Sequence, residues 1–239
     1  MVGIPVDTTF DVRTDAGGRD PDRYSATLRA FHRALWSKPL PGGDMFELDR
    51  ELSHASPMST LRFASDAITH TYATWTGPRA LVETRNRIPA HKMKAFVDLG
   101  CTVGAYTIFP RKVQVDGRWC ISINQARGMH PLIRDRFDLT LECIRRHYLG
   151  LDHPLGVAFG PYSDFFALFD DFAGYVRFFL LQDLVTEDLD AVRFLVEFDE
   201  FQRTPLPSQN ADEYRAYMDK SMAFIRARNG RIDRFANGV

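Results

Sequence analysis

Acidic, basic and amide side chains are concentrated between Ile121 and Gly150 of this chain. Carboxylates act as general bases, accept hydrogen bonds from sugar hydroxyls and bind divalent metals, whereas arginines hold phosphate groups. Polar groups at this density are costly inside a fold unless they satisfy one another or a ligand. We therefore treat this segment as the first candidate for a functional site.

Three acids of this segment, Asp135, Asp138 and Glu142, are the candidate catalytic residues. A single helix is expected over residues 131–150, with a proline in its first turn and a glycine at its end. In that helix Asp135 and Glu142 lie about 20° apart, and Asp138 lies about 60° away. Arg146 falls nearly in line with them. The acids and this arginine are thus predicted to share one stripe.

Two interpretations of this stripe are open. In the first, Glu142 pairs with Arg146 and Arg134 pairs with Asp138, and each pair stabilises the helix by about 0.2–0.5 kcal/mol. In the second, the stripe faces a cleft, and the helix N-terminus helps to hold an anion. The acids then serve as a base, as acceptors for ribose hydroxyls or as metal ligands. Spacing alone does not separate the two.

Residues that can hold phosphate, base or sugar groups form the candidate substrate-binding set. They are His32, Lys38, Asn124, Gln125, Arg127, Arg136 and Arg146. The first two flank residues 37–43, SKPLPGG, which combine a lysine with two glycines but lack the order of a Walker A motif. Either a phosphate-binding loop or an ordinary turn fits this stretch.

The helices and strands that position these residues are predicted from hydrophobic periodicity and from the capping, glycine and proline residues at their ends. A helix is predicted from an Asp20 N-cap to Trp36, and others over 89–99 and 210–229. Strands are expected near 45–48, 61–64, 101–110 and 191–198, together with a hairpin of 113–115 and 119–123 across Asp116 and Gly117. Gly104 is expected to allow a close backbone approach or a bulge.

Three further segments each allow a functional and a structural interpretation. Asp66 and His70 form an acid–imidazole pair if a helix covers them, or else an exposed acid and a core-edge histidine. The aromatic residues between 162 and 184 either stack bases or fill the core, and their helical spacing favours the core. The tail arginines, Arg226, Arg228, Arg231 and Arg234, either contact phosphate or remain solvated.

Composition indicates a folded protein. Of the 239 residues, 45% are hydrophobic and 26% are charged, and the net charge of −1 provides no global attraction for nucleic acid. An odd number of cysteines, Cys101, Cys120 and Cys143, suits a reducing cytoplasm. Neither a signal peptide nor a membrane span is evident, so we expect a cytoplasmic protein.

One domain over 1–239 is predicted, of the α+β class. A small mixed or antiparallel sheet is flanked by five or six helices, and 210–239 form a C-terminal helix and basic tail.

Several phrases together resemble a family of uncharacterised bacterial proteins classed as a domain of unknown function. They include HRALWSKPLPGG at 32–43, GCTVGAYTIFP at 100–110, INQARG at 123–128 and DRFDLTLECIRRHY at 135–148. The phrases extend over nearly the full length, which implies one integrated domain. The resemblance implies no activity.

The polar segment favours an enzyme that acts on a nucleotide or another phosphate-bearing substrate. Glycosyl or ADP-ribosyl transfer from NAD is one version, and metal-assisted hydrolysis is another, so NAD and a divalent metal are the cofactors considered. A metal site cannot be assigned to particular residues. The alternative is a non-catalytic module that binds nucleic acid or a protein in a defence or regulatory setting, through the aromatic segment and the arginine tail.

Overall fold

A computed structural model describes residues 4–55, 60–68, 79–111, 114–115, 118–119, 121–202 and 210–238. It confirms the α+β class, with small antiparallel sheets and helices around one apolar core. No helix in this described part combines the length and apolar character that crossing a membrane requires. The helices, in chain order, are α1 (Pro21–Tyr24), α2 (Ala26–Trp36), α3 (Arg79–Arg85), α4 (Ala90–Leu99), α5 (Ile123–Met129), α6 (Phe137–Tyr148), α7 (Gly156–Phe159), α8 (Ser163–Ala167), α9 (Phe172–Phe178) and α10 (Ala211–Asn237).

The strands form three separate antiparallel sheets, which pair β1 with β2, β3 with β4 and β5, and β6 with β7. In the three-stranded sheet β4 is central, and Asp66 lies opposite Thr107 on β5. Strands β6 and β7 pair as a hairpin, as predicted, but β7 is Arg118–Trp119 and does not extend to Ile123; Asp116 and Gly117 lie outside the described residues. The bounds are β1 (Lys38–Pro39), β2 (Met45–Phe46), β3 (Ser53–Ala55), β4 (Thr60–Ala67), β5 (Tyr106–Arg111), β6 (Gln114–Val115) and β7 (Arg118–Trp119).

The predicted helix from Asp20 to Trp36 is interrupted at Ser25. Asp20 is the expected N-cap, and its side chain accepts a hydrogen bond from the Asp22 N–H at 3.1 Å. Helix α1 ends after one turn, and the Ser25 hydroxyl then caps α2 by accepting from the Leu28 N–H at 3.0 Å. Because the two helices are separate, α1 can pack against β4 while α2 enters the core.

The segment between Ile121 and Gly150 differs from the single strand and helix that the sequence predicts. Ile123 begins helix α5, because the Ser122 and Gln125 side chains form a reciprocal capping box there. Arg134 and Asp135 then adopt left-handed backbone conformations, with φ of 46° and 66°, before α6 begins. Asp135 therefore lies outside the helix that carries the other two acids. The prediction of one shared stripe is wrong.

The aromatic segment fills the core, as its spacing favours. Phe165, Phe169, Tyr175 and Phe179 are fully buried and contact one another edge to face or tilted. The strand expected over 191–198 is absent from the described structure, where only Val192 forms an isolated bridge to Val185. Packing against neighbouring elements overrides β-propensity in this stretch.

Helix α10 is longer than predicted and is not a solvated tail. It continues through Gly230 to Asn237, and Gly238 caps it in the left-handed conformation. It packs against α2, α3, α4 and the turn of 3-10 helix at Val103–Ala105. Arg228 on this helix is fully buried and donates hydrogen bonds to the carbonyls of Gly104 and Tyr106. This arginine therefore joins elements of the fold and is closed to outside ligands.

Candidate acid–base site

A cavity of about 590 Å³ lies between α1, the end of β4 and the turn before α6. Among the described residues, four aspartates and two arginines contribute charge to its wall. They are Asp20, Asp22, Asp66, Asp135, Arg13 and Arg19, and Tyr106 and Cys101 lie beside them. Carboxylates collected in one cavity repel one another, so their protonation states are the first property to establish.

Each of the inner acids comes from a different element. Asp22 lies in the single turn of α1, and Asp66 lies near the end of β4. Asp135 lies in the left-handed turn that follows α5. Non-glycine residues rarely adopt this conformation, and they persist in it where the surroundings enforce it. The site is therefore built from segments far apart in sequence.

The fully buried guanidinium of Arg127 holds two of these acids together. Its Nη1 donates to Asp66 Oδ2 at 2.6 Å and to Asp135 Oδ1 at 2.5 Å. Its Nε donates to the Thr140 hydroxyl at 3.1 Å. Burial alone would lower the pKa of Arg127, but the charges of Asp135 and Asp66 outweigh it and raise the pKa. Arg127 is thus a fixed cation beneath the cavity.

Burial raises the pKa of two acids in the cavity wall. Burial raises the pKa of Asp66 to about 7, since the charge of Arg127 only partly opposes it and Asp135 adds repulsion. Burial, followed by the charge of Asp66, raises the pKa of Asp22 well above its ordinary value. The buried Oδ1 of Asp22 also has no hydrogen-bond partner in the part of the chain described. Burial therefore favours the protonated forms of both Asp22 and Asp66.

A buried hydrogen-bond chain leads to Asp22 from the core. The Trp36 indole N–H donates to His32 Nδ1 at 2.9 Å, so this nitrogen carries no proton. The neutral ring must then carry its proton on Nε2, which lies 2.9 Å from the Ser65 hydroxyl oxygen. Burial lowers the pKa of His32 to about 3, which keeps the ring neutral. His32 therefore donates to Ser65.

Ser65 in turn acts on the carboxyl group of Asp22. The Ser65 hydroxyl lies near the carboxyl group and lowers the Asp22 pKa, against the larger effect of burial. Because His32 donates to Ser65 and cannot accept its proton, this serine is not activated as a nucleophile. The predicted substrate-binding residue His32 instead lies behind the cavity and orients the groups that support Asp22.

Two other wall residues are poorly suited to nucleophilic chemistry. Burial raises the pKa of the Cys101 thiol to about 11, so the thiolate is scarce at neutral pH. Burial also raises the pKa of the Tyr106 hydroxyl far above its ordinary value. Asp22 and Asp66, whose pKa values are raised, are therefore the better candidates for proton exchange in this wall.

Asp138, predicted to be catalytic, lies in a closed ion pair away from this cavity. It is fully buried, and it accepts from Arg136 Nε at 3.1 Å and Nη2 at 2.5 Å. The N–H of Leu195 donates to its Oδ2 at 2.9 Å. Asp138 thus pairs with the predicted substrate-binding residue Arg136, where the first interpretation expected Arg134.

Glu142 and Arg146 are likewise engaged with protein groups. The Glu142 carboxylate accepts from Arg145 Nε and from Arg146 Nε, each at 2.8 Å. Arg146 also donates to Glu200 and lies over the ring of Phe201. The expected pair of Glu142 with Arg146 is confirmed, within a larger network. The structure does not bring this network to the cavity.

Lys38 lies among aromatic rings instead of in a phosphate loop. Its Nζ donates to the Phe178 carbonyl at 2.5 Å and lies 4.4 Å from the ring centroid of Phe235. Burial, followed by the charge of Arg228, lowers the pKa of Lys38 to about 7. The glycines of SKPLPGG form the turn between β1 and β2. A phosphate-binding role for this loop gains no support from this geometry.

The two predicted amide residues differ in their surroundings. Asn124 donates from Nδ2 to the Ser65 carbonyl at 3.4 Å, next to Asp66, and its buried Oδ1 has no partner among the described residues. Gln125 is exposed and acts as the capping-box partner of Ser122. Of the predicted set, Asn124, Arg127 and Asp135 are therefore brought close to the candidate site.

Sequence reasoning missed Asp22 entirely and considered Asp66 only as a partner of His70, which lies outside the described residues. Along β4 the residues Leu61, Phe63 and Ser65 are buried, so a period of two assigns Asp66 to the outward face. Helix α1 covers that face. No local signal in the sequence predicts this covering, because it depends on packing between distant segments.

The acids of this site are poorly arranged to hold a divalent metal. In the described ranges, no three His, Cys, Asp or Glu side chains are grouped so that they could hold a metal ion. Asp66 and Asp135 direct oxygens to Arg127 instead, as given above. The donor set therefore fits proton exchange and hydroxyl binding better than metal coordination.

The sequence comparisons agree with the full-length resemblance. A family model described as a family of unknown function (DUF6994) matches residues 6–232. Comparisons with curated proteins and with solved structures find no match. All residues of the candidate site lie inside the matched range.

Proposed function

Because this chain belongs to the family of unknown function DUF6994, we propose its function from the site alone. The protein is an enzyme that uses Asp22 and Asp66 as a general acid and base on a substrate bound in the cavity. The observation that supports this most is that Asp22 and Asp66 line one open cavity, where burial raises the pKa of each. Pairs of this kind separate acid and base roles between chemically identical groups.

The proposed roles follow from the environment of each acid. Asp66, with a pKa of about 7, exchanges a proton with the substrate at neutral pH, close to the optimum for general acid–base catalysis. Asp22 stays protonated and donates a hydrogen bond or a proton. Asp135, fixed by Arg127, accepts hydrogen bonds from substrate hydroxyls. Arg127 positions Asp66 and Asp135 through its hydrogen bonds, and Asn124 contacts the Ser65 carbonyl next to Asp66.

The substrate class follows from charge. An anion is repelled by the aspartates, so the part of the substrate that enters the cavity is neutral or cationic and rich in hydroxyl groups, as a ribose is. A phosphate group fits the mouth, where exposed Arg19 stacks on Tyr24 at 4.0 Å. Glycosyl-bond cleavage or transfer on a nucleotide, including NAD, is the proposed reaction class. Metal-assisted hydrolysis is less well supported, because Asp66 and Asp135 direct carboxylate oxygens to Arg127.

The non-catalytic alternative loses most of the residues on which it rested, and of the tail arginines Arg226 and Arg234 remain exposed. The aromatic segment is core, and Arg228 of the tail is buried. Another tail residue, Arg231, is paired with Asp183. We therefore propose no nucleic-acid or protein partner from these segments.

The test is turnover by paired variants. Purified protein is incubated with NAD, nucleoside monophosphates and p-nitrophenyl ribosides, and released base or nitrophenol is quantified. Asp66→Asn is expected to lower turnover at least 100-fold, the usual contribution of a general acid or base. Asp164→Asn, on an exposed acid, is the matched control and retains turnover. A panel without turnover, or turnover that survives Asp66→Asn, would contradict the proposal.

A further inference from the structure

A second cavity, of about 660 Å³, lies between α3 and α4 on the other side of Arg13. Arg13 lines both cavities. The walls of the second cavity are different in character, because Ile88, Ala90, Met93 and Val97 give them a largely apolar surface. Arg85, at the end of α3, also lines this space. A buried cation in an apolar cavity is the feature that requires explanation.

Arg85 is 7% exposed, and its Nη2 atom is buried without a hydrogen-bond partner in the described structure. No ion pair joins its guanidinium to an acid of the described ranges. Buried arginines are normally paired and hydrogen-bonded, because an uncompensated buried charge is strongly destabilising. Such a group points to a partner outside the described residues, and a bound anion is one that fits the cavity.

The other cations in this wall already have acidic partners. Arg13 donates to Asp11 at 2.5 Å and to Asp98 at 3.1 Å. Lys94 pairs with Asp98 at 2.5 Å. A ligand in this cavity therefore meets Arg85 as its principal unpaired charge.

We infer that this second cavity binds an organic carboxylate with an apolar body, whose carboxylate pairs with Arg85. A guanidinium and a carboxylate match in charge and in planar geometry, and they can form two parallel hydrogen bonds. A dianionic phosphate is a poorer fit, since it brings two charges to a single unpaired cation. The apolar body lies against Ile88, Met93 and Val97. This inference goes beyond the proposed function and does not depend on the acid–base pair.

The probe is octanoate, and binding is measured by titration calorimetry at pH 7.5. Octanoate is expected to bind, whereas acetate, which lacks the apolar body, and octanol, which lacks the charge, bind at least 10-fold more weakly. Inorganic phosphate binds more weakly than octanoate. Asp66→Asn leaves octanoate binding unchanged, so this test is independent of the proposed enzymatic function.

Variants separate a ligand-binding role of Arg85 from a structural one. Arg85→Met is expected to weaken octanoate binding at least 10-fold while the melting temperature stays equal or rises, because an unpaired buried charge is removed. Arg87→Met, on an exposed neighbour, is the control and binds normally. Ala90→Asp keeps Arg85, places an acid in the first turn of α4 where it suits the helix, and repels octanoate. Absent octanoate binding, equal binding of octanol, tighter binding of phosphate, or unchanged binding in both Arg85→Met and Ala90→Asp would each overturn the inference.

Discussion

Arg127 and Asp135 hold each other at three points. The Arg127 guanidinium donates from Nη1 to the Asp135 carboxylate at 2.5 Å and from Nη2 to the Asp135 carbonyl at 2.8 Å. The Asp135 N–H returns a hydrogen bond to the Arg127 carbonyl at 3.0 Å. This mutual hold keeps Asp135 in its left-handed conformation at the cavity wall. It also leaves Nη1 in position to contact Asp66.

Removing this cation should destabilise the fold. Arg127→Met is expected to lower the free energy of unfolding by about 3–5 kcal/mol, because Asp66 and Asp135 lose their shared buried partner. Urea unfolding followed by circular dichroism measures the change. Arg62→Met, on an exposed arginine of β4, is the control and should change stability little. Equal stability of the two variants would show that the Arg127 pairs are not important to folding.

Asp22→Asn should stabilise the protein, and more so at high pH. The folded pKa of Asp22 is raised, so the folded state keeps a proton that the unfolded chain has released above its ordinary pKa of 3.8. The stability of the natural protein therefore falls as pH rises from 3.8 through the folded pKa. Asparagine resembles the protonated acid and removes this loss. Thermal melts at pH 4 and pH 8 check it. The assignment is contradicted if the melting temperature gained by Asp22→Asn over the natural protein is smaller at pH 8 than at pH 4.

His32 should make the protein sensitive to acid. Its folded pKa is lowered to about 3, whereas the unfolded ring titrates near 6.5. The unfolded state therefore binds more protons in this interval, and stability is lost as pH falls from about 6.5 towards 3. His32→Gln retains a donor towards Ser65 but does not titrate, so its stability should depend less on pH in this range. His91→Gln, on an exposed histidine, should keep the natural slope. If stability depends on pH equally in the natural protein, His32→Gln and His91→Gln, the prediction for His32 is contradicted.

Glu142 should contribute to stability and not to turnover. Glu142→Gln weakens the buried contacts to Arg145 and Arg146, and is expected to cost about 1–3 kcal/mol of unfolding free energy. Turnover by the folded fraction should be unchanged, as it should be in Glu187→Gln, an exposed control. Loss of turnover at unchanged stability would return Glu142 to the catalytic candidates.

Two glycines should respond to alanine in opposite directions. A Cβ at Gly104 would lie 2.4 Å from Asn229 Oδ1 and 2.9 Å from the Ile225 carbonyl, so Gly104→Ala should lower the unfolding free energy by about 1–3 kcal/mol. At Gly230, within α10, the nearest atom is the flexible end of Arg234 at 3.6 Å. Gly230→Ala should raise stability by up to about 1 kcal/mol, because alanine is the better helix former. Denaturant midpoints measure both changes. Similar effects of the two substitutions would contradict this packing.

The sequence predicts elements better than it predicts the site, for a physical reason. Caps and periodicity are local, so Asp20, Gly100 and the aromatic spacing identify element ends and the core correctly. Gly104 is confirmed as a point of close approach, although its partner Asn229 could not be foreseen. Solvent-exposed and buried ion pairs look alike in a helical projection, because both consist of acids and arginines at similar spacing.

The site residues show the same limit more strongly. Asp138 and Glu142 stand in a polar stripe that resembles a catalytic face, yet each has arginine partners within four residues. Asp22 and Asp66 belong to segments that are distant in sequence, and the packing of α1 on β4 brings these segments together. Arg127 was identified from its segment, but its pairing with Asp66 is a long-range contact.

The measurement that bears most directly on the acid–base site is the carboxyl ¹³C chemical shift of Asp22 and Asp66, followed by NMR from pH 3 to pH 9. We expect Asp66 to titrate with a midpoint near 7 and Asp22 to remain protonated well above pH 4. In Asp66→Asn the midpoint of Asp22 should fall, because the charge of Asp66 helps to raise the pKa of Asp22. If both carboxyls titrate below pH 5 in the natural protein, they share no proton near neutral pH, and the proposed catalytic pair does not exist.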